Sequence, residues 1–79
     1  MARSFGTRRH AALVAFLRER REKAGLTQQD VARRLKRYQS FVADYEGGQK
    51  RIDAVLLVEI AEAVGFDPRE AIKAVQQAK

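Results

Sequence analysis

The chain has no cysteine and no tryptophan, and only one histidine and one proline among its 79 residues. Without cysteine there is no disulfide framework, no thiolate metal site and no cysteine nucleophile. His10, near the end expected to be loose, cannot assemble a zinc site alone, and neither a metal nor a cofactor is expected. Long hydrophobic runs are missing too: the longest, Ala11 to Leu17, falls far short of the roughly 20 residues that cross a bilayer. Nothing after it reads as a leader cleavage site. No stretch alternates apolar and polar residues as a half-buried strand does, and there is no internal repeat. No nucleophile–base–orienter set or phosphate-binding loop can be assembled, so enzymatic activity is not expected. What remains is a small all-α cytoplasmic domain with no membrane and no small-molecule ligand.

Charge is the first positive signal. Sixteen Lys and Arg face ten Asp and Glu, a net of +6. Residues 1–52 hold 13 basic and 5 acidic side chains, a net of +8, whereas residues 53–79 hold 3 and 5, a net of −2. That asymmetry suggests that the first two thirds meet a polyanion while the last third does something else. A generic solvated surface is the plain alternative. One core of this size supplies roughly 3–5 kcal/mol, so a docked second subunit would help.

Residues 1–7 read as a short flexible basic arm, and residues 8–79 as one domain of five helices. Thr7 is placed to cap a first helix from about Arg8 to Ala24, with Leu13, Val14, Phe16 and Leu17 near helical spacing and Gly25 to end it. Thr27, with Asp30 three residues on, forms a capping box for Gln28 to about Leu35, which buries Val31, Ala32 and Leu35. A break over Lys36 to Tyr38 precedes a short helix, Gln39 to Glu46, that carries Val42 and Tyr45 inward and ends at Gly47-Gly48. Asp53 caps Ala54 to Val64, where Leu57, Ile60, Ala61 and Val64 form a core stripe before Gly65. Asp67-Pro68-Arg69-Glu70 opens the last helix, with Glu70 expected in a capping box and Ile72 and Val75 marking its buried side.

Two short helices joined by a tight turn and flanked by basic residues, spanning about 27–46, make a helix-turn-helix. The second helix of such a pair must offer short polar side chains on its outer N-terminal face to reach base edges in a major groove. Gln39, Ser40, Ala43 and Asp44 form that face.

At these residues Leu17 to Ala71 resembles the Xre/Cro family of lambda-repressor-like helix-turn-helix domains. The resemblance is carried by Leu17-Arg18 with Arg21, Gly25-Leu26-Thr27-Gln28, Val31-Ala32, Leu35, Gln39-Ser40-Phe41-Val42, Tyr45-Glu46-Gly47-Gly48, Ile60-Ala61-Glu62-Ala63-Val64-Gly65 and Asp67-Pro68, in one unbroken register. It implies that the helix at Gln39 is the recognition helix, with Gln39 and Ser40 leading the base readers. It implies that Gln28, Lys36, Arg37, Tyr38, Gln49, Lys50 and Arg51 meet the DNA backbone. Arg21 and Glu46 would form a structural ion pair. Phe41 either packs under the helix or meets DNA, and Arg3, Arg8 and Arg9 are either solvated or grip phosphate or the minor groove.

The sequence departs from the pattern at four positions. Lys36 stands where a turn glycine is usual, Gly47 replaces a frequent Arg or Lys, Arg20 replaces a buried aliphatic, and Asp44 puts an acid on the reading face. Asp44 either accepts from a cytosine amino group or weakens non-specific binding.

The fourth helix carries Val55, Leu56 and Val58 besides its core stripe, so it is apolar on more than one face. Val55, Leu56, Ile72 and Val75, within a region of about 54–79, are the expected seam of a twofold homodimer on a near-palindromic double-stranded DNA operator. The implied protein is a small transcriptional regulator, a repressor or autoregulator of a phage, mobile-element, restriction–modification or toxin–antitoxin operon, nucleoid-associated when bound. The alternative is a protein-interaction module or antiactivator that keeps the fold and binds a protein instead.

Overall fold

The computed structural model describes residues 6–79, and the five expected helices form at the expected places: α1 (Arg8–Lys23), α2 (Gln28–Leu35), α3 (Gln39–Glu46), α4 (Ala54–Val64) and α5 (Pro68–Gln77). No strand occurs among the described residues. Arg3 and most of the expected basic arm lie outside them.

Local chemistry sets the boundaries. The Thr7 hydroxyl accepts the His10 backbone N–H at 3.1 Å, so α1 starts at the next residue. Thr27 and Asp30 exchange side-chain and backbone hydrogen bonds at 2.9 and 3.0 Å, completing the capping box of α2. Asp53 accepts from the Leu56 backbone N–H at 2.8 Å and opens α4. Gly25 adopts φ 74°, letting the Leu26 N–H return to the Arg21 carbonyl and close α1.

The core lies where α1, α2, α3 and α4 converge, with Leu17, Val31, Val42, Tyr45 and Ile60 each almost wholly buried. Tyr45 is buried enough that its phenol is held above the ordinary tyrosine range, chiefly by loss of solvent, and it stays neutral. Helix α5 packs mainly on α1 and only lightly on α4.

Three sequence expectations require correction. Ile72 does not mark the buried side of α5: it is 54% exposed, and the inward face is Ala71, Ala74 and Val75, spaced for a helix stripe, with Ala71 wholly buried. Glu70 does not close a capping box. It pairs with Arg20 of α1, while Asp67 caps α5 through the Arg69 N–H. His10, expected at a loose end, is buried in the first turn of α1.

The Arg20 pairing explains how an arginine replaces an aliphatic residue. Its guanidinium lies 5.3 Å from the Phe16 ring centroid and 5.8 Å from that of Phe66, and these two rings meet edge to face at 5.4 Å. The stem covers the core edge while the charge faces two rings and a carboxylate. Arg34 likewise donates to the Ala63 carbonyl at 2.7 Å, placing a cation at the C-terminal end of α4.

Candidate nucleic-acid interface

Helix α3 is held by its inner face and open on its outer one. Val42 and Tyr45 are buried, whereas Tyr38, Gln39, Ser40 and Asp44 are exposed and Ala43 is half-buried. Gln39, Ser40, Ala43 and Asp44, the residues expected to read bases, lie at helical spacing on the side of α3 away from the core, three of them exposed and Ala43 half-buried. Among the described residues the Asp44 carboxylate makes no ion pair. Gly47 ends α3 at φ −80°, and a Cβ there would stand 3.1 Å from the Ala43 carbonyl oxygen, so glycine fits the helix end closely.

A continuous polar chain fixes this helix to the rest of the fold. Arg21 of α1 donates to both oxygens of Glu46, from Nε at 2.7 Å and from Nη2 at 3.0 Å, and from Nη1 to the Leu26 carbonyl at 2.8 Å. Glu46 also accepts from Gln28 Nε2 at 3.0 Å, and Gln28 Oε1 accepts from Gln39 Nε2 at 2.7 Å. The hydrogen bonds that Arg21 donates to Glu46 hold the arginine pKa above its ordinary value against the opposing effect of burial. Glu46 is 3% exposed and Arg21 11% at the side chain, so each charge depends on the other.

The chain also orients Gln39. With one N–H spent on Gln28, its amide keeps a second N–H and its carbonyl oxygen in an exposed position, one donor beside one acceptor. Such a pair matches the N7 and N6 edge of an adenine. Gln28 keeps one N–H beyond its bond to Glu46, at the first turn of α2, where unpaired backbone N–H groups also point outward.

Cations frame the exposed face of α3. Lys36 and Arg37 come from the turn before it, and Lys50 and Arg51 from the loop after it, with Gln49 exposed between. Lys36 takes the left-handed conformation, φ 59° and ψ 44°, where a glycine is usual. It does so because the Arg37 N–H must return to the Ala32 carbonyl at 2.9 Å to end α2. Phe41 is half-buried, edge to face with Tyr45 at 6.2 Å. The Arg37 guanidinium lies 4.9 Å and the Lys50 ammonium 4.8 Å from its ring centroid. Of the two openings that the sequence left for this ring, packing against the core is observed.

Arg8 and Arg9 turn elsewhere: they donate to the Lys79 and Ala78 carbonyls at 3.4 and 3.0 Å, tying the start of α1 to the end of α5. Of the apolar residues expected at a subunit seam, Val55 is 69% and Ile72 54% exposed, and the neighbouring Val58 is 43% exposed. Leu56 and Val75 are half-covered within the chain, Leu56 against the core and Val75 beside His10, Leu13 and Ile52. Sequence reasoning missed the Gln28–Gln39 bond and the two cations on Phe41. Gln28 and Gln39 lie 11 positions apart and Phe41 and Lys50 nine, on different elements, while Arg37, four positions before Phe41, belongs to the turn and not to α3, so helical spacing alone does not pair them.

Among the described residues no group of His, Asp and Glu is placed to hold a metal ion, and no helix is long and apolar enough to cross a membrane. A family of helix-turn-helix domains matches residues 12–72. Among solved structures, an XRE-family like protein from Pseudomonas syringae pv. tomato superposes with a TM-score of 0.80 at 35% identity, covering 86% of this chain and 83% of that one. The restriction–modification controller protein C.AhdI from Aeromonas hydrophila gives 0.72 at 31% identity, covering 78% of this chain and 94% of its own. The clp gene regulator ClgR from C. glutamicum gives 0.78 at 24% identity, covering 86% and 88%, a likeness of fold alone. No curated protein sequence matches.

Proposed function

Because this chain belongs to the XRE-type family of helix-turn-helix DNA-binding regulators, we propose that it works as a homodimeric, sequence-specific transcriptional regulator. It represses or autoregulates a phage, mobile-element, restriction–modification or toxin–antitoxin operon, and the likeness to C.AhdI lends weight to the controller class. It acts in the cytoplasm, at the nucleoid when bound.

The observation that carries this reading is the anchored Gln39 amide, exposed at the start of α3 and oriented through Gln28, Glu46 and Arg21. In the major groove, Gln39 reads an adenine through its donor–acceptor pair, and Ser40 and Ala43 follow along the same face. Gln28, Lys36, Arg37, Tyr38, Gln49, Lys50 and Arg51 set the register on the phosphates, which fix orientation without reading sequence. Asp44, unpaired among the described residues, repels phosphate and so weakens binding to arbitrary DNA more than to an operator that offers it a cytosine amino group. The exposed Val55, Val58 and Ile72 support a twofold seam on α4 and α5. Such a dimer sets two α3 helices about 34 Å apart, one turn of DNA.

Footprinting on the DNA upstream of its own reading frame, at two salt concentrations, tests this. A symmetric protected patch that survives the higher salt is the expected result. Protection that vanishes with salt leaves only the phosphate term. It would favour the second reading, a protein-binding module, for which the acid at Asp44 and the missing cation at Gly47 speak.

A further inference from the structure

The ring of Phe41 is met by two cations from different loops, Arg37 from before α3 and Lys50 from after it, at 4.9 and 4.8 Å from its centroid. Its own position is fixed by the edge-to-face contact with the buried Tyr45 and by the N–H it donates to the Tyr38 carbonyl at 3.0 Å. We propose that Phe41 is a positioning residue: it touches no base, and its ring holds Arg37 and Lys50 as a preformed pair of phosphate contacts along one edge of α3. This deepens the DNA-binding reading above and rests on it.

The chemistry suits the task. A guanidinium lying on a ring keeps its N–H groups at its edge, directed away from the ring and open to phosphate oxygens. An ammonium with one side on a ring keeps donors on the other. Long cationic side chains free in solvent lose rotamer freedom on binding; side chains already held by a ring lose less. The ring thus shifts ordering of both cations from the moment of binding to the moment of folding. It serves the loop before and the loop after the recognition helix together, so both flanking phosphate contacts keep one spacing relative to Gln39.

The test measures binding of the full chain to two duplexes, one selected by the protein from a random-sequence pool and one of scrambled sequence. Phe41→Leu keeps apolar volume but removes the ring face. It is expected to weaken binding to both duplexes equally, by about five- to tenfold, as binding must then order both side chains. Phe41→Tyr, which keeps the face, restores binding. In an Arg37→Gln/Lys50→Gln background, Phe41→Leu is expected to cost nothing further, because the cations it positions are gone. A loss of the same size in that background, or one confined to the selected duplex, overturns the proposal, since a tilted helix produces either. Thermal melts of each variant identify any that fail to fold, and the background comparison then uses Phe41→Met in place of Phe41→Leu. If the unaltered chain selects no duplex, the DNA-binding reading itself fails, an outcome distinct from any of these.

Discussion

Removing the Arg21 guanidinium should unfold more of this domain than any exposed substitution. In Arg21→Met the bonds to Glu46 at 2.7 and 3.0 Å and to the Leu26 carbonyl at 2.8 Å disappear, and a carboxylate 3% exposed keeps only Gln28 as a donor. Breaking a buried pair from one side costs about 3–5 kcal/mol. The lower end applies, because the Gln28 bond persists and the arginine is itself 11% exposed. A single core of this size supplies roughly 3–5 kcal/mol, so such a loss consumes most of it. A loss of about 3 kcal/mol lowers the melting temperature by roughly 12–24 °C. Circular dichroism melts and urea titrations of Arg21→Met, Glu46→Leu and the double variant measure this. The double variant should recover to within about 1 kcal/mol of the unaltered chain, since neither charge is then stranded. A single-variant loss under about 1 kcal/mol, or a double variant as unstable as the two singles combined, would mean that the two charges do not depend on each other.

Four further outcomes are expected. Gln39→Ala should cost about 1–3 kcal/mol at one operator position, whereas Lys50→Ala should weaken all sequences alike; binding arrays over single-base operator variants separate them. Lys36→Gly should raise stability by about 0.5–1 kcal/mol by relieving the left-handed backbone, while losing a cation at the DNA face, as paired melts and salt titrations would record. Asp44→Asn should raise affinity for scrambled duplexes more than for the operator, narrowing the ratio read by competition. The carboxyls of Asp30 and Asp67 are held below their ordinary values, by bonds from Thr27 and from Arg69 respectively. The unfolded chain therefore binds their protons first, stability falls as pH drops from about 4 through the lowered folded values, and Asp30→Asn should flatten that slope in acid urea titrations.

The helices were legible in the sequence because their ends are written locally. Thr7, Thr27, Asp53 and Asp67 each cap within three residues of themselves, and Gly25 and Gly65 stop the chain where the apolar period stops. The Arg21–Glu46 pair was legible only through family resemblance, since the two lie 25 positions apart. What escaped has a common cause. Alanine carries so little hydrophobic weight that the Ala71, Ala74 side of α5 was outweighed by Ile72, and only the close approach of α1 decides which side is buried. Glu70 satisfied a local capping rule equally well, yet Arg20 was nearer once α1 and α5 had packed. The exposed face of α3 followed from period alone, whereas the Gln28 bond to Gln39 and the cations on Phe41 come from tertiary proximity.

One consequence follows from where α3 is fastened. Its attachment runs through Val42 and Tyr45 beneath and Glu46 at its far end, while Ser40 and Asp44 face outward with no partner among the described residues. If these residues read bases as proposed above, exchanging those two side chains alters which sequence is preferred without touching what keeps the helix in place. Gln39 is the exception, being tied to Gln28, so drift in target preference should proceed freely at positions 40 and 44 and in coordinated pairs at 28 and 39. On that reading the fold is a fixed socket with a small set of exchangeable teeth, and substitutions at positions 40 and 44 are expected to change the preferred operator while leaving folding intact.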